Sequence, residues 1–205
     1  RRQIKEAKER AEKERAERER AKAERAAKIW ERAGAVDPQH PYLVDKQVEA
    51  PKGLRQIRNL LVVPVREGRD LWSLQFIAPD GRKRFLKGGR TQGCYLGIGK
   101  PGEVIIVAEG LATALSIREA TGHGVVVAFS SGNMPAVARA LRQRFPNAGL
   151  VFAADNDPHG RGQKAAKDAI EAVGGVAALP EQEGDDWNDA ARRDGADALT
   201  EAFRR

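Results

Sequence analysis

Val104-Ile105-Ile106-Val107-Ala108-Glu109-Gly110 and Gly149-Leu150-Val151-Phe152-Ala153-Ala154-Asp155-Asn156-Asp157 share one pattern, a short unbroken apolar run that ends in acid. Continuous rather than alternating apolar residues predict strands buried on both faces, the condition of a parallel sheet covered by helices. Helical patterns at 112–120, 135–144, 163–173 and from Trp187 onward alternate with apolar runs at 104–108, 124–129, 149–154 and 176–179. This repeat predicts an α/β domain over residues 101–205, with a mostly parallel four-stranded sheet and helices on both faces. In such sheets ligands meet the carboxyl ends of the strands, so the residues just past each run carry the chemistry.

Three acidic groups occupy those positions. Glu109 follows the first run, with Gly110 behind it to let backbone or substrate approach closely; the competing reading is an acid that favours a helix N-terminus. Asp155 and Asp157 follow the third run, and residues two apart in extended chain point the same way, so both can grip one cation. The same composition also suits a plain turn. Asp185, Asp186 and Asp189 follow the fourth run, where a helix cap is the alternative. Carboxylates gathered at one sheet edge repel unless a cation offsets their charge. Oxygen donors without a His-rich or Cys-rich set suit Mg²⁺ or Mn²⁺ better than zinc. His40, His123 and His159 are scattered and read as loop residues.

Around this core the chain changes texture. Of a formal net charge of +7, residues 1–33 carry +5, from 13 basic and 8 acidic side chains. That stretch holds Glu, Arg, Lys and Ala with no Gly or Pro, and predicts a helix about 50 Å long at about 1.5 Å per residue. Acid-first pairs such as Glu14 with Arg18 and Glu24 with Lys28 support an exposed helix. It reads as a solvated spacer over residues 1–36, with DNA binding or oligomerisation as the other roles open to it. The chain opens at Arg1 inside this charged stretch, which predicts a piece of a longer protein. Asp37-Pro38 and His40-Pro41 mark a linker, and β-like runs at 60–64, 71–77 and 84–86 predict a small α+β lobe over 37–100. A single cysteine, Cys94, leaves no disulfide and no multi-thiolate zinc site within the chain. No apolar run reaches membrane-spanning length and no leader pattern is present, so the expectation is a soluble, cytoplasmic protein with no membrane partner.

With those residues in view, a family resemblance emerges. Glu109-Gly110, the Asp155-x-Asp157 pair and Asp185-Asp186-Trp187-Asn188-Asp189 resemble the TOPRIM signature of bacterial-type primases, topoisomerases and related nucleases. His40-Pro41-Tyr42-Leu43, Leu61-Val62-Val63-Pro64-Val65-Arg66, Trp72-Ser73-Leu74-Gln75-Phe76-Ile77 and Arg82-Lys83-Arg84-Phe85-Leu86-Lys87-Gly88-Gly89 resemble the amino-terminal lobe of the DNA primase catalytic core of plasmids, phages and integrative elements. The resemblance implies synthesis of short RNA primers from ribonucleoside triphosphates on single-stranded DNA. It implies two Mg²⁺ ions during catalysis, Asp155 and Asp157 as principal ligands, Asp186 and Asp189 as secondary ligands, and Glu109 as base or ligand. Phosphates also need cations, which makes Arg82, Lys83, Arg84, Lys87 and Arg90 the expected nucleotide or template contacts, with Arg161 and Lys164 next in line. Ser131-Gly132-Asn133 could add amides at a helix N-terminus.

Two departures stand out. Thr113 occupies the place of a second acid four residues past the glutamate, and the zinc ribbon that precedes many primase cores is missing, so template recognition is expected elsewhere, with a helicase or relaxase domain as a further partner. A TOPRIM nuclease is the competing enzyme, and a decayed nucleic-acid-binding or assembly module the non-enzymatic alternative. A topoisomerase would need a tyrosine nucleophile, and only Tyr42 and Tyr95 are available.

Overall fold

A computed structural model describes residues 2–204, and the chain separates into two units: residues up to Asp37 with Gly53–Thr91, and Pro38–Lys52 with Gln92 onward. The stretch read as one lobe, 37–100, is therefore shared between them.

In the first unit, helix α1 (Arg2–Arg32) is followed by an antiparallel sheet in the order β1 (Arg55–Ile57), β2 (Leu60–Glu67), β3 (Asp70–Ile77), β4 (Lys83–Phe85). The expected meander is present, with β1 added at its edge. Pro64 sits past the three residues of β2 that pair with β1, so its missing N–H interrupts no ladder on that side. The helix is more than a spacer. Ala26 and Ala33 are buried with Val62, Leu74 and Leu86, and Ile29, Trp30 and Phe76 pack against them. The Arg55 guanidinium stacks on Trp30 with its carbon 4.6 Å from the ring centroid, and Arg66 approaches the same ring at 5.7 Å. The apolar positions toward the end of α1 thus belong to this core, while the charged stretch before them is exposed from residue 3 to residue 18.

The second unit opens with α2 (Pro41–Lys46), whose N-cap is His40, 1% exposed, with Nδ1 accepting from the Tyr42 amide. His40 is thus a buried cap rather than a loop residue. The βα repeat follows: β5 (Leu96–Ile98), β6 (Val104–Ala108), α3 (Leu111–Thr121), β7 (Gly124–Val127), α4 (Met134–Arg144), β8 (Gly149–Ala153), α5 (Arg161–Val173), β9 (Val176–Ala178), α6 (Trp187–Asp194) and α7 (Ala196–Ala202). The final expected helix is broken in two at Gly195, whose φ of +87° suits glycine. The sheet has five strands in the order β5-β7-β6-β8-β9. Four are parallel, as expected; the fifth, β5, pairs antiparallel with β7.

Period-two alternation sorts the buried strand residues. Ile105, Val107, Leu150 and Phe152 pack on Met134, Val137 and Leu141 of α4 and on Ala165, Ala166 and Ala169 of α5. The alternate residues Ile106, Ala108, Val125 and Val127 are equally buried on the opposite face, where α3 lies, backed by α6 and α7. The sandwich of helix, sheet and helix follows directly from strands that are apolar on both faces.

Candidate active site

The strand order creates a crevice. β6 and β8 are neighbours, yet the helices that follow them, α3 and α5, leave toward opposite faces of the sheet. This is the switch point at which open α/β sheets bind ligands. Ala108 is registered opposite Ala153, so Glu109 and Asp155 leave neighbouring strands at the carboxyl edge one and two residues past that pair, both half-buried.

Asp157 is held by its own loop. Its carboxylate accepts from the amide of Gly162 at 2.8 Å and from that of His159 at 3.0 Å. The Gly162 amide, helped by those of Arg161 and His159, keeps its pKa below the usual carboxylate range, so Asp157 is ionised across the physiological span. Gly162 is a constraint in itself: a Cβ there would stand 2.4 Å from the Asp155 carbonyl oxygen and 3.0 Å from its amide nitrogen. Only a residue without a side chain lets α5 start so close to Asp155.

The third acidic group forms a cap. Asp186 accepts from the amides of Asn188 at 2.7 Å and Asp189 at 3.0 Å, and Asp189 reaches back to the Asp186 amide at 3.4 Å. This is a capping box at the start of α6. Asp185 pairs with Arg193, whose guanidinium also holds Asp194 at 2.7 Å. Hydrogen bonds to Asp194 and then Asp185 raise the Arg193 pKa. Among the described residues no three His, Cys, Asp or Glu side chains stand close enough together to hold a metal ion. Repelling carboxylates that each take the amides of their own loop have a physical reason to stand apart. Thr113, in the first turn of α3, is 3% exposed.

Tyr42 lies near this edge of the second unit, its hydroxyl beside the Ala112 amide in the first turn of α3 and within the field of Asp186. It is 2% exposed, and burial pushes its pKa up to about 12.

The basic residues are divided between the units. Arg82, Lys83 and Arg84 line a cleft of about 600 Å³ in the first unit, together with Phe76, Asn59 and Asp80. Arg82 pairs with Asp80 at 2.6 Å, and Arg84 lies over Phe76 at 5.9 Å. Lys87 is exposed. Arg90 bonds Glu67 at 2.8 Å and stacks over Trp72 at 4.6 Å. In the second unit Arg161 is exposed at the start of α5, and Lys164 pairs with Asp168 one turn along. Ser131–Asn133 forms a 3-10 turn leading into α4, but Asn133 points inward, donating to the Cys94 and Ala128 carbonyls and accepting from the Gly93 amide.

Gly162, Asn156 and Gln163 were not expected from sequence as parts of this edge. A second glycine two residues after Gly160, inside the first helical turn, was the signal available for Gly162. Asn156 and Gln163 had none beyond their neighbours.

Residues 104–197 match the model of the Toprim domain family. Two DNA primases TraC of Escherichia coli are similar in sequence. One is 35% identical over a stretch covering 71% of this chain and 11% of that protein, the other 36% identical over 68% of this chain and 15% of that protein. The chain thus spans a small part of the length of the curated relatives it matches. The primase fragment of the bacteriophage T7 primase-helicase protein has a similar fold, with a TM-score of 0.55 and 18% identity, covering 74% of this chain and 64% of that one.

Proposed function

We propose that this chain, whose residues 104–197 are a Toprim domain, is the catalytic core of a DNA primase that joins ribonucleotides on a single-stranded DNA template in the cytoplasm. The observation that carries the reading is the emergence of Glu109 and Asp155 from adjacent parallel strands at the switch point of the sheet.

Primer synthesis is attack of a ribonucleotide 3′ oxygen on the α-phosphorus of a ribonucleoside triphosphate, with pyrophosphate leaving. Negative charge grows on the phosphate oxygens, and fixed cations lower the barrier. The donors assigned at this edge are carboxylate oxygens, which fits Mg²⁺ or Mn²⁺. Asp155 and Asp157 would hold the principal ion, with Asp186 and Asp189 as outer contributors through carboxylate lone pairs that the capping box leaves over. Bound there, the ion would supply Lewis-acid stabilisation of the phosphate oxygens. Glu109, on the neighbouring strand, accepts the proton of the 3′ hydroxyl or shares the ion. Arg161, at the exposed start of α5, meets the triphosphate, with Lys164 behind it. In the first unit, Arg82, Lys83 and Arg84 with Phe76 combine cations with an aromatic face, the chemistry that tracks a single strand; Lys87 and Arg90 extend that patch. A helicase or relaxase domain is the partner that would present the template.

The capping box and the buried Thr113 favour a second reading, a nucleic-acid-binding module without catalysis. One experiment separates the readings: the protein with Mg²⁺ or Mn²⁺, labelled ribonucleotides and single-stranded DNA, beside Asp155→Asn and Glu109→Gln. Oligoribonucleotides from the wild type alone establish the primase. Shortened DNA indicates a nuclease, and DNA retained equally by all three proteins with no product indicates the binding module.

A further inference from the structure

Asn156, the residue between Asp155 and Asp157, has all four of its polar groups engaged, and three of them reach one loop. Its backbone N–H donates to the Asp185 carbonyl at 3.0 Å, its carbonyl accepts from the Gly184 amide at 2.7 Å, and its side-chain Nδ2 donates to the Pro180 carbonyl at 3.0 Å. The fourth group, Oδ1, accepts from Nε2 of Gln163 at 2.9 Å. Gln163 lies in the first turn of α5, and the same Nε2 leans on the Asp157 carbonyl at 3.4 Å. The residues on both sides of Asn156 and the residues after Gly184 are the separately encoded acids of the site.

We propose that Asn156 and Gln163 are positioning residues which latch the Asp155–Asp157 loop to the Pro180–Asp189 segment and thereby set the spacing of the acids that take a divalent cation. The inference rests on the metal-dependent reading of the site. Its physical basis is geometric. The two backbone bonds fix residues 184 and 185, β9 fixes the chain up to Ala178 and Arg193 holds the Gln182 side chain; the Asn156 amide adds the tie at Pro180 that joins this segment directly to the residue between Asp155 and Asp157. The Asn156 amide must present N–H to Pro180, and Gln163 selects that orientation by donating to the oxygen on the other side. Aspartate at 156 would have no N–H to give, and leucine at 163 would free the amide to turn.

The test uses the full chain and the variants Asn156→Ala, Asn156→Asp, Gln163→Leu and Gln163→Glu, with Asp168→Asn, on the solvent side of α5, as a control for surface changes in that helix. Amide hydrogen exchange over residues 180–189, measured without metal or nucleotide, should quicken at least tenfold in Asn156→Ala and Gln163→Leu while the amides of β6 and β8 keep the wild-type rates. Mn²⁺ affinity, followed by calorimetry with Mn²⁺ alone, should fall about tenfold in the same variants and by less than twofold in Asp168→Asn. Unchanged exchange in the 180–189 segment, or Mn²⁺ affinity within twofold of wild type in both latch variants, overturns the proposal. A wild type that takes up Mn²⁺ yet makes no primer counts against the primase reading, and the exchange and affinity arms still decide the latch.

Discussion

Glu109 and Asp155 stand one and two residues past a registered pair, Ala108 on β6 and Ala153 on β8, at the single edge where four parallel strands end. Strand pairing alone therefore brings two acids encoded 46 positions apart to the edge of one crevice, while strict alternation would aim them to opposite faces, so the turn after Ala154 decides where Asp155 points. If that crevice is where phosphates react, each carboxylate is needed for its charge rather than its shape. Asp155→Asn and Glu109→Gln should then each lower the rate of primer synthesis by about 10²–10³-fold, the usual cost of removing one group that stabilises transition-state charge. Circular dichroism and thermal unfolding should stay close to wild type. Activity of either variant within threefold of wild type at saturating Mg²⁺ would remove the residue from the chemistry.

Gly162 has to be glycine because of where Asp155 runs. Alanine would set a Cβ against backbone atoms of Asp155, which cannot swing away as a flexible side chain would. Either α5 or the Asp155 loop must shift. Gly162→Ala should cost about 1–3 kcal/mol in urea unfolding, the range for overpacking a close contact. Because the strain falls on the acid loop, the Mg²⁺ concentration for half-maximal activity should rise as well. A variant as stable as wild type would show that the loop gives way freely.

The apolar runs at 104–108 and 149–154 carry the fold in plain view, since strands buried on both faces have no choice but to be continuously apolar. β5 and β1 were hidden for the converse reason: Leu96-Gly97-Ile98 and Arg55-Gln56-Ile57 are too short to show a period, and while β1 turns straight into β2 at Arg58-Asn59, β5 owes its pairing to β7, beyond β6 and α3. The places of the acids past the strand ends were readable, and the capping alternative for Asp186 was readable too. The local bonds that hold them were not. Asn156 meets residues 24 and 29 positions away and Gln163 seven away, and no spacing rule in a single sequence announces an amide that happens to fit. Burial in α1 was half legible: Ile29 and Trp30 signalled an apolar end, while Ala26 looks the same exposed or buried.

Tyr42 gives the second unit a dependence on alkaline pH. Its folded pKa is about 12 because burial disfavours the phenolate, whereas an unfolded tyrosine titrates near 10. Between these values the unfolded chain loses the proton while the folded one keeps it, so stability is intact below pH of about 10 and falls as pH rises toward 12. A gap of two units corresponds to roughly 2–3 kcal/mol. Tyr42→Phe keeps the buried ring and removes only the titrating hydroxyl, so it should unfold within about 1 kcal/mol of wild type at pH 7. Its stability should then decline less steeply above pH 10, so that the gap between the two curves moves in the variant's favour. Parallel curves in denaturant titrations from pH 8 to 11.5 would show that the phenol is not shielded.

Helix α1 has two parts that should respond oppositely to change. Residues 3–18 are exposed throughout, and their ion pairs, such as Glu14 with Arg18 at 3.7 Å, are solvent-screened contacts of little worth. Trp30 instead packs against the buried cluster of the first unit, receives Arg55 and Arg66 on its ring, and accepts the Arg55 Nη1 bond at its carbonyl at 2.5 Å. Deleting residues 1–18 should change unfolding free energy by less than about 0.5 kcal/mol, as for surface changes generally. Trp30→Ala keeps the backbone carbonyl but removes the ring, and should cost about 3 kcal/mol, the lower end for truncating a large aromatic because this one is half-buried. Thermal unfolding of the two proteins side by side measures the contrast. Equal losses would mean that the charged stretch before Ala26 supports the fold as much as the apolar end does.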